Sequence, residues 1–269
     1  MAVLKQMIRV RGLEKTFVLH NQGGVRLPVL RAVDFDAAAG ECLALAGPSG
    51  TGKSTLLRCL YGNYLATAGS IRIRDAGAAG PGAAGDAGAG RVDGDGSSND
   101  GHGDGQWIEL HGASEQRILQ LRRDTIGYVS QFLHAVPRVG ALDVVAEPLR
   151  ARGVEAGPAR ERAAALLARL NLPARLFDLP PATFSGGEQQ RVNIARGLIG
   201  GHPVLLLDEP TASLDARNRD VVVELLCEAV AGGRCLVGIF HDEAVRDAVA
   251  TRVLALEPAA AAAEPALQD

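Results

Sequence analysis

The apolar run Cys42-Leu43-Ala44-Leu45-Ala46 leads directly into Gly47-Pro48-Ser49-Gly50-Thr51-Gly52-Lys53-Ser54, and no other stretch restricts the fold as much. A short apolar run of this kind predicts a buried strand, and Lys53 to Tyr61 reads as a helix. The loop between them fits G-x-x-x-x-G-K-[ST] in the strand–loop–helix context which that pattern requires. Glycines let backbone N–H groups close around phosphate oxygens, and the helix N-terminus adds positive potential. Lys53 is one of only three lysines in the chain, and it brings a point charge to the terminal phosphates. The Ser54 hydroxyl suits Mg2+.

Two further segments carry the same kind of chemistry. Val204-Leu205-Leu206-Leu207 predicts a buried strand that ends in Asp208-Glu209, and open α/β sheets bind ligands at that strand end. Asp208 is expected to hold Mg2+, usually through water, and Glu209 to polarise the attacking water as general base. Ser185-Gly186-Gly187-Glu188 is a capping box opening a helix, but capping does not call for two glycines, which cost stability in a first turn. Bare glycine N–H groups at a helix start suit close approach to a phosphate. The Gly47–Ser54 loop already cradles one phosphate chain, so a second phosphate-facing helix end implies a nucleotide shared between two subunits.

The remainder of the chain fits an α/β protein. Cys235 to Ile239 predicts another buried strand, with Arg217 to Val230 helical before it, which is the signature of a parallel sheet. Residues 132–184 read as a helical insertion, and one domain is expected over residues 1–257. Residues 75–105 hold 11 Gly, 7 Ala and 6 Asp and predict a disordered insert, because so little apolar surface cannot offset the ordering entropy. Strand-like alternation on either side, at Gly69–Arg74 and Gln106–Leu110, places that insert in a hairpin loop. The Ala-rich tail 258–269 is also read as disordered. A net charge of −3 excludes the strongly basic surface that nucleic acid binding favours. No apolar run reaches the roughly 18 residues of a membrane span. The N-terminus shows no signal-peptide pattern, so a cytoplasmic location is expected. Cys42, Cys59, Cys227 and Cys235 make no metal spacing and read as buried thiols of a reducing compartment.

In their order along the chain, Gly47–Ser54, Gln131, Ser185–Gln189, Asp208-Glu209, Ser213-Leu214-Asp215 and His241 resemble the motifs of ATP-binding-cassette ATPases, over nearly all of residues 7–256. The resemblance implies an α/β P-loop nucleotide-binding domain with an antiparallel β subdomain and a helical subdomain. It implies ATP and Mg2+ as cofactors and hydrolysis of ATP to ADP and phosphate. It implies catalytic roles for Lys53, Glu209 and His241, with His241 at the γ-phosphate. It places Ser54, Gln131 and Asp208 at the metal. For the nucleotide it implies Phe17, Gly47, Pro48, Ser49, Gly50, Thr51, Gly52, Lys53, Ser54, Thr55 and Gln131. Across a dimer seam it adds Ser185, Gly186, Gly187, Glu188 and Asp215. Phe17 matches the aromatic that stacks on adenine, the alternative being a core Phe on an edge strand.

Narrower segments, among them Leu19–Leu30, Leu60–Leu65, Val129–Leu133, Thr183–Ala195 and Gly238–Arg246, resemble the L subunit of the bacterial phosphonate carbon–phosphorus lyase system. That resemblance implies a role in phosphonate metabolism. The implied partners are a carbon–phosphorus lyase complex and a second cassette subunit, either the same chain or a sibling. The alternative reading is the ATPase half of a lipoprotein-release or macrolide-type exporter, which requires a separate permease. A non-hydrolytic ATP switch is disfavoured by the intact Glu209 and His241.

Overall fold

The computed structural model describes residues 4–19, 24–75, 105–133 and 137–259. The first two strands, β1 (Gln6–Leu19) and β2 (Val25–Ala38), form a long antiparallel hairpin. β3 (Cys42–Ala46) leads into α1 (Lys53–Leu60), and β4 (Ala68–Arg74) and β5 (Trp107–Glu109) follow. Then come α2 (Glu115–Asp124), β6 (Ile126–Val129), α3 (Ala141–Arg150) and α4 (Ala156–Arg169). The chain continues through α5 (Gly186–Ile199), β7 (Val204–Asp208), α6 (Ala216–Ala231), β8 (Cys235–Ile239), α7 (Glu243–Val249) and β9 (Arg252–Ala255).

Two sheets result. One is antiparallel in the order β2-β1-β4-β5, and the other is parallel in the order β6-β7-β8-β3-β9. Around β3, β7 and β8 both faces of the parallel sheet are covered, which is why these strands read as unbroken apolar runs, whereas the edge strand β9 is largely exposed. Leu205 and Leu207 pack with the helices α3 to α6, whereas Val204 and Leu206 pack against α1 and the antiparallel sheet. β3 divides in the same way, with Cys42 and Ala44 on one face and Leu43 and Leu45 on the other. The C-terminal ends of β3, β6, β7 and β8 therefore lie along one edge, and from that edge emerge the Gly47 loop, Gln131, Asp208-Glu209 and His241.

The helical region expected at 132–184 contains α3 and α4, packed on each other and on α5, with short 3-10 turns at Ala174–Leu176 and Pro181–Thr183. The hairpin expected around the insert is present as β4 and β5, joined at its open end by the Asp75 N–H donating to the Gln106 carbonyl at 2.8 Å. Asp75, which composition places in the disordered insert, is instead fixed: Arg117 and the Thr125 hydroxyl donate to its carboxylate at 2.8 and 2.9 Å. Gly105, Pro258 and Ala259 are described without regular secondary structure, and residues 76–104 and 260–269, on which the rest of these expectations fall, lie outside the described residues. Three cysteines are buried as expected, but Cys227 on α6 is only half-buried.

Candidate active site

The glycine loop is shaped by its surroundings as well as by its own freedom. Gly47 has φ +141°, and a Cβ there would stand 2.5 Å from the Leu256 carbonyl oxygen. Gly52, the N-cap of α1, has φ +86°, and a Cβ would meet Val29 and Leu30 at 2.8 Å. Only glycine satisfies both the positive φ and the close approach. The loop is thus pinned between β9 on one side and β2 on the other. Thr51 is buried, and its hydroxyl donates to the Pro48 carbonyl at 3.0 Å. The Lys53 ammonium arches back and donates to the Gly47 and Pro48 carbonyls at 2.7 and 2.8 Å, which holds its charge over the loop.

Helix α1 packs across β7 and β8, and this brings the loop to the acidic strand end. Ser54 Oγ donates to Asp208 Oδ1 at 3.0 Å, although the residues are 154 apart in sequence. Asp208 is 2% exposed. Burial pushes its carboxyl up from the usual range, while hydrogen bonds from Ser54 and Tyr128 hold it down. The Tyr128 hydroxyl donates to Oδ2 at 3.2 Å. Asp208 forms no ion pair among the described residues, so a buried carboxylate faces only neutral donors. Such a donor set suits a hard cation with oxygen ligands. No cluster of three or more His, Cys, Asp or Glu side chains able to hold a metal occurs among the described residues. The donor set fits Mg2+, which takes one or two protein oxygens and completes its shell with phosphate and water.

Glu209 turns the chain sharply. Its φ is +54°, an uncommon conformation for a residue with a Cβ, and its N–H donates to the Ile239 carbonyl at 3.2 Å. One carboxylate oxygen accepts from His241 Nε2 at 2.7 Å, and the other from Gln131 Nε2 at 3.4 Å. The Glu209 side chain is 17% exposed and that of His241 61%. Gln131, Asp208, Glu209 and His241, drawn from three segments, therefore converge beside the loop.

Other expected residues fall elsewhere. Ser185 caps α5 in a complete capping box: Glu188 Oε2 accepts from the Ser185 N–H and hydroxyl at 2.9 and 2.7 Å. Those bonds hold the Glu188 carboxyl below the usual range. A Cβ on Gly187 would stand 3.0 Å from the Ser213 carbonyl oxygen, but Gly186 opens on free space, so no internal contact explains its lack of a side chain. Asp215 caps α6 by accepting from the Asn218 N–H at 2.8 Å, which holds its carboxyl below the usual range. Among the described residues no hydrogen bond ties Ser185–Glu188 or Asp215 to the Gly47–Ser54 loop. Phe17 lies edge-on to Tyr64 with ring centroids 5.3 Å apart, and Lys15 Nζ stands 4.8 Å from its centroid. Its strand β1 is paired on both sides over most of its length, but the pairing with β4 stops at Glu14, so Phe17, still paired with Leu27 of β2, lies half-buried on a locally open edge.

Three polar residues that composition and spacing did not single out belong to this neighbourhood. Tyr128 reaches Asp208, as above. Gln190 and Asn193 are buried on α5 and donate to the carbonyls of Pro210 and Ser130 at 3.0 and 2.6 Å. They connect the capping-box helix to the turns that follow β7 and β6. Their only sequence signal was polarity on the apolar face of a helix.

The ABC transporter family matches residues 30–212. The chain is 36% identical over 224 residues to the lipoprotein-releasing system ATP-binding protein LolD of Ruegeria sp., covering 83% of each. It is 34% identical to the macrolide export ATP-binding/permease protein MacB of Nitrosomonas europaea, over 90% of this chain and 31% of that longer protein. Among solved structures, the ATP-binding cassette MJ0796, dimeric in a post-hydrolysis state with ADP and Pi, superposes with a TM-score of 0.75 at 27% identity. That match covers 93% of this chain and 94% of MJ0796. With its glycine loop, acidic strand end and capping-box helix in one α/β frame, the chain belongs to the ABC transporter family and is an ATP-hydrolysing, ATP-binding cassette.

Proposed function

We propose that this cassette binds Mg-ATP, closes against a second cassette and couples hydrolysis to an exporter-type permease. The Ser54–Asp208 contact at 3.0 Å carries the catalytic part, because it joins the glycine loop to a buried carboxylate that forms no ion pair among the described residues. Ser54 and Asp208 would hold Mg2+, with Gln131 beside them; the ion neutralises charge on the phosphates when bound. The Gly47–Ser54 loop and Thr55 wrap the phosphates, Lys53 adds its charge, and Phe17 packs against the base. Glu209, held by His241 and Gln131, takes the proton of the attacking water, and His241 is then free to face the γ-phosphate. Ser185, Gly186, Gly187, Glu188 and Asp215 lie away from their own loop and serve a neighbouring subunit's nucleotide.

For the partner, similarity to LolD and MacB supports the exporter reading over carbon–phosphorus lyase, which the narrower sequence resemblance had put first. No helix among the described residues is long and apolar enough to cross a membrane. Exposed Phe132 and Leu179 offer apolar surface on and beside the helical region. The test is affinity capture with Glu209→Gln from cells carrying the gene, with and without Mg-ATP, followed by mass spectrometry. A membrane permease is the expected catch. Recovery of lyase subunits instead would return the assignment to phosphonate metabolism.

A further inference from the structure

Tyr128 stands in a geometry that nothing in the glycine loop or the acidic strand end requires. β6 and β7 are parallel, with Tyr128 opposite Leu206, two residues short of Asp208. Two residues of strand rise about 6.6 Å, close to the reach of a tyrosine from its Cα to its hydroxyl. The ring therefore runs alongside β7, and its hydroxyl meets Asp208 Oδ2 at 3.2 Å while Ser54 meets Oδ1 at 3.0 Å. The ring is itself fixed. It stacks on Tyr61 at 5.0 Å with 24° between the planes. Tyr61 is the C-cap of α1, the helix that begins with Lys53 and Ser54. Arg122 holds Tyr61 in turn, its guanidinium 4.5 Å from the ring centroid and its Nε donating to the Tyr61 carbonyl at 3.0 Å.

We propose that Tyr128 is the positioning residue for the metal-facing carboxylate: by holding Asp208 Oδ2 from a ring clamped to α1, it fixes the carboxylate plane so that Oδ1 faces Ser54. One aromatic thus ties together the helix and the strand that supply the two oxygen ligands. Without the hydroxyl, Oδ2 loses its donor and the carboxylate is free to rotate away from Ser54. Partners of metal ligands contribute about tenfold or more to affinity, and the same is expected here.

The inference rests on the assignment of Ser54 and Asp208 to the metal, and the test separates the two. In a Glu209→Gln background, protein saturated with stoichiometric ATP is titrated with Mn2+, and free Mn2+ is read by electron paramagnetic resonance. The parent should hold Mn2+ more tightly than ATP does in buffer. Adding Tyr128→Phe should weaken that hold about tenfold, with ATP affinity in EDTA unchanged. If the parent holds Mn2+ no better than free ATP does, the metal assignment itself falls. If the parent binds tightly and Tyr128→Phe matches it within twofold, the assignment stands and the role of Tyr128 is overturned. An equal loss of ATP affinity in EDTA also overturns it, because the ring would then be shaping the nucleotide site at large. Should Tyr128→Phe not fold, Tyr61→Leu keeps the hydroxyl but frees the ring. A weakening of about threefold is then expected, and no change overturns the proposal.

Discussion

Lys53 and Glu209 show how much one side chain does at this site. The Lys53 ammonium is held by two carbonyls of its own loop, at 2.7 and 2.8 Å, so it is already placed over the cradle. Lys53→Ala leaves the glycine backbone intact but removes the only lysine charge there. ATP affinity should fall more than tenfold, over about 1.4 kcal/mol, in a calorimetric titration; a change within threefold would refute the assignment of the loop. Glu209 adopts a left-handed backbone at φ +54°, a conformation that costs on the order of 1–2 kcal/mol for a residue with a Cβ. The return is a carboxylate turned toward both Gln131 and His241. Glu209→Gln should lower kcat by about 10²- to 10⁴-fold while ATP affinity stays within threefold. Steady-state phosphate release and nucleotide titration together check that split.

Helix α5 links the parts of the site. Its first turn presents the Ser185–Glu188 capping box, and its buried middle donates through Gln190 to Pro210 and through Asn193 to Ser130. Its last turn is clasped by arginines: Arg152 donates to the Gly200 carbonyl and Arg234 to that of Leu198. Beside that end, His202 is 5% exposed, packed against Gly127 and Gly200. Nε2 lies 3.2 Å from the Arg123 carbonyl, and Nδ1 has no hydrogen-bond partner among the described residues. Burial first, then the charge of Arg152, pushes its pKa down to about 4 from 6.5. Below about pH 6.5 the unfolded chain binds a proton that the folded ring refuses. The fold therefore loses stability as pH falls from 6.5 toward about 4, by about 3 kcal/mol in all. Urea midpoints at pH 7, 5.5 and 4.5 should show that slope, and His202→Gln should flatten it.

At the scale of the molecule, the residues of the proposed site fall into two groups with no hydrogen bond between them among the described residues. The Gly47–Ser54 loop, Asp208 and Glu209 lie along one edge of the parallel sheet, whereas Ser185, Gly186 and Asp215 stand at helix starts with no hydrogen bond to that loop among the described residues. MJ0796, which is solved as a dimer, shares the fold over 93% of this chain. Glu209→Gln with Mg-ATP should double its mass in light scattering, alone or with a sibling cassette, and Ser185→Arg should prevent it by crowding the helix start. A monomer under every condition, with ATPase rate linear in protein concentration, would leave a self-sufficient single-chain ATPase.

The local elements were legible because each is specified by neighbours in sequence. The strand–glycine–helix turn, the apolar run ending in Asp208-Glu209 and the capping box all depend on residues within a few positions. Buried strands announce themselves by apolarity on both faces, and α6, expected at 217–230, runs Ala216–Ala231. Tertiary structure alone decided what those elements bring together. The strand order β6-β7-β8-β3-β9 places Tyr128 beside Asp208, 80 residues away, and Gln131 beside Glu209, 78 away. Buried polar pairings such as Asn193 with Ser130 follow from packing. A tyrosine or asparagine in a sequence carries no mark of the acceptor that will lie opposite it. Its partner is set by which strands adjoin, a choice made by the whole core at once.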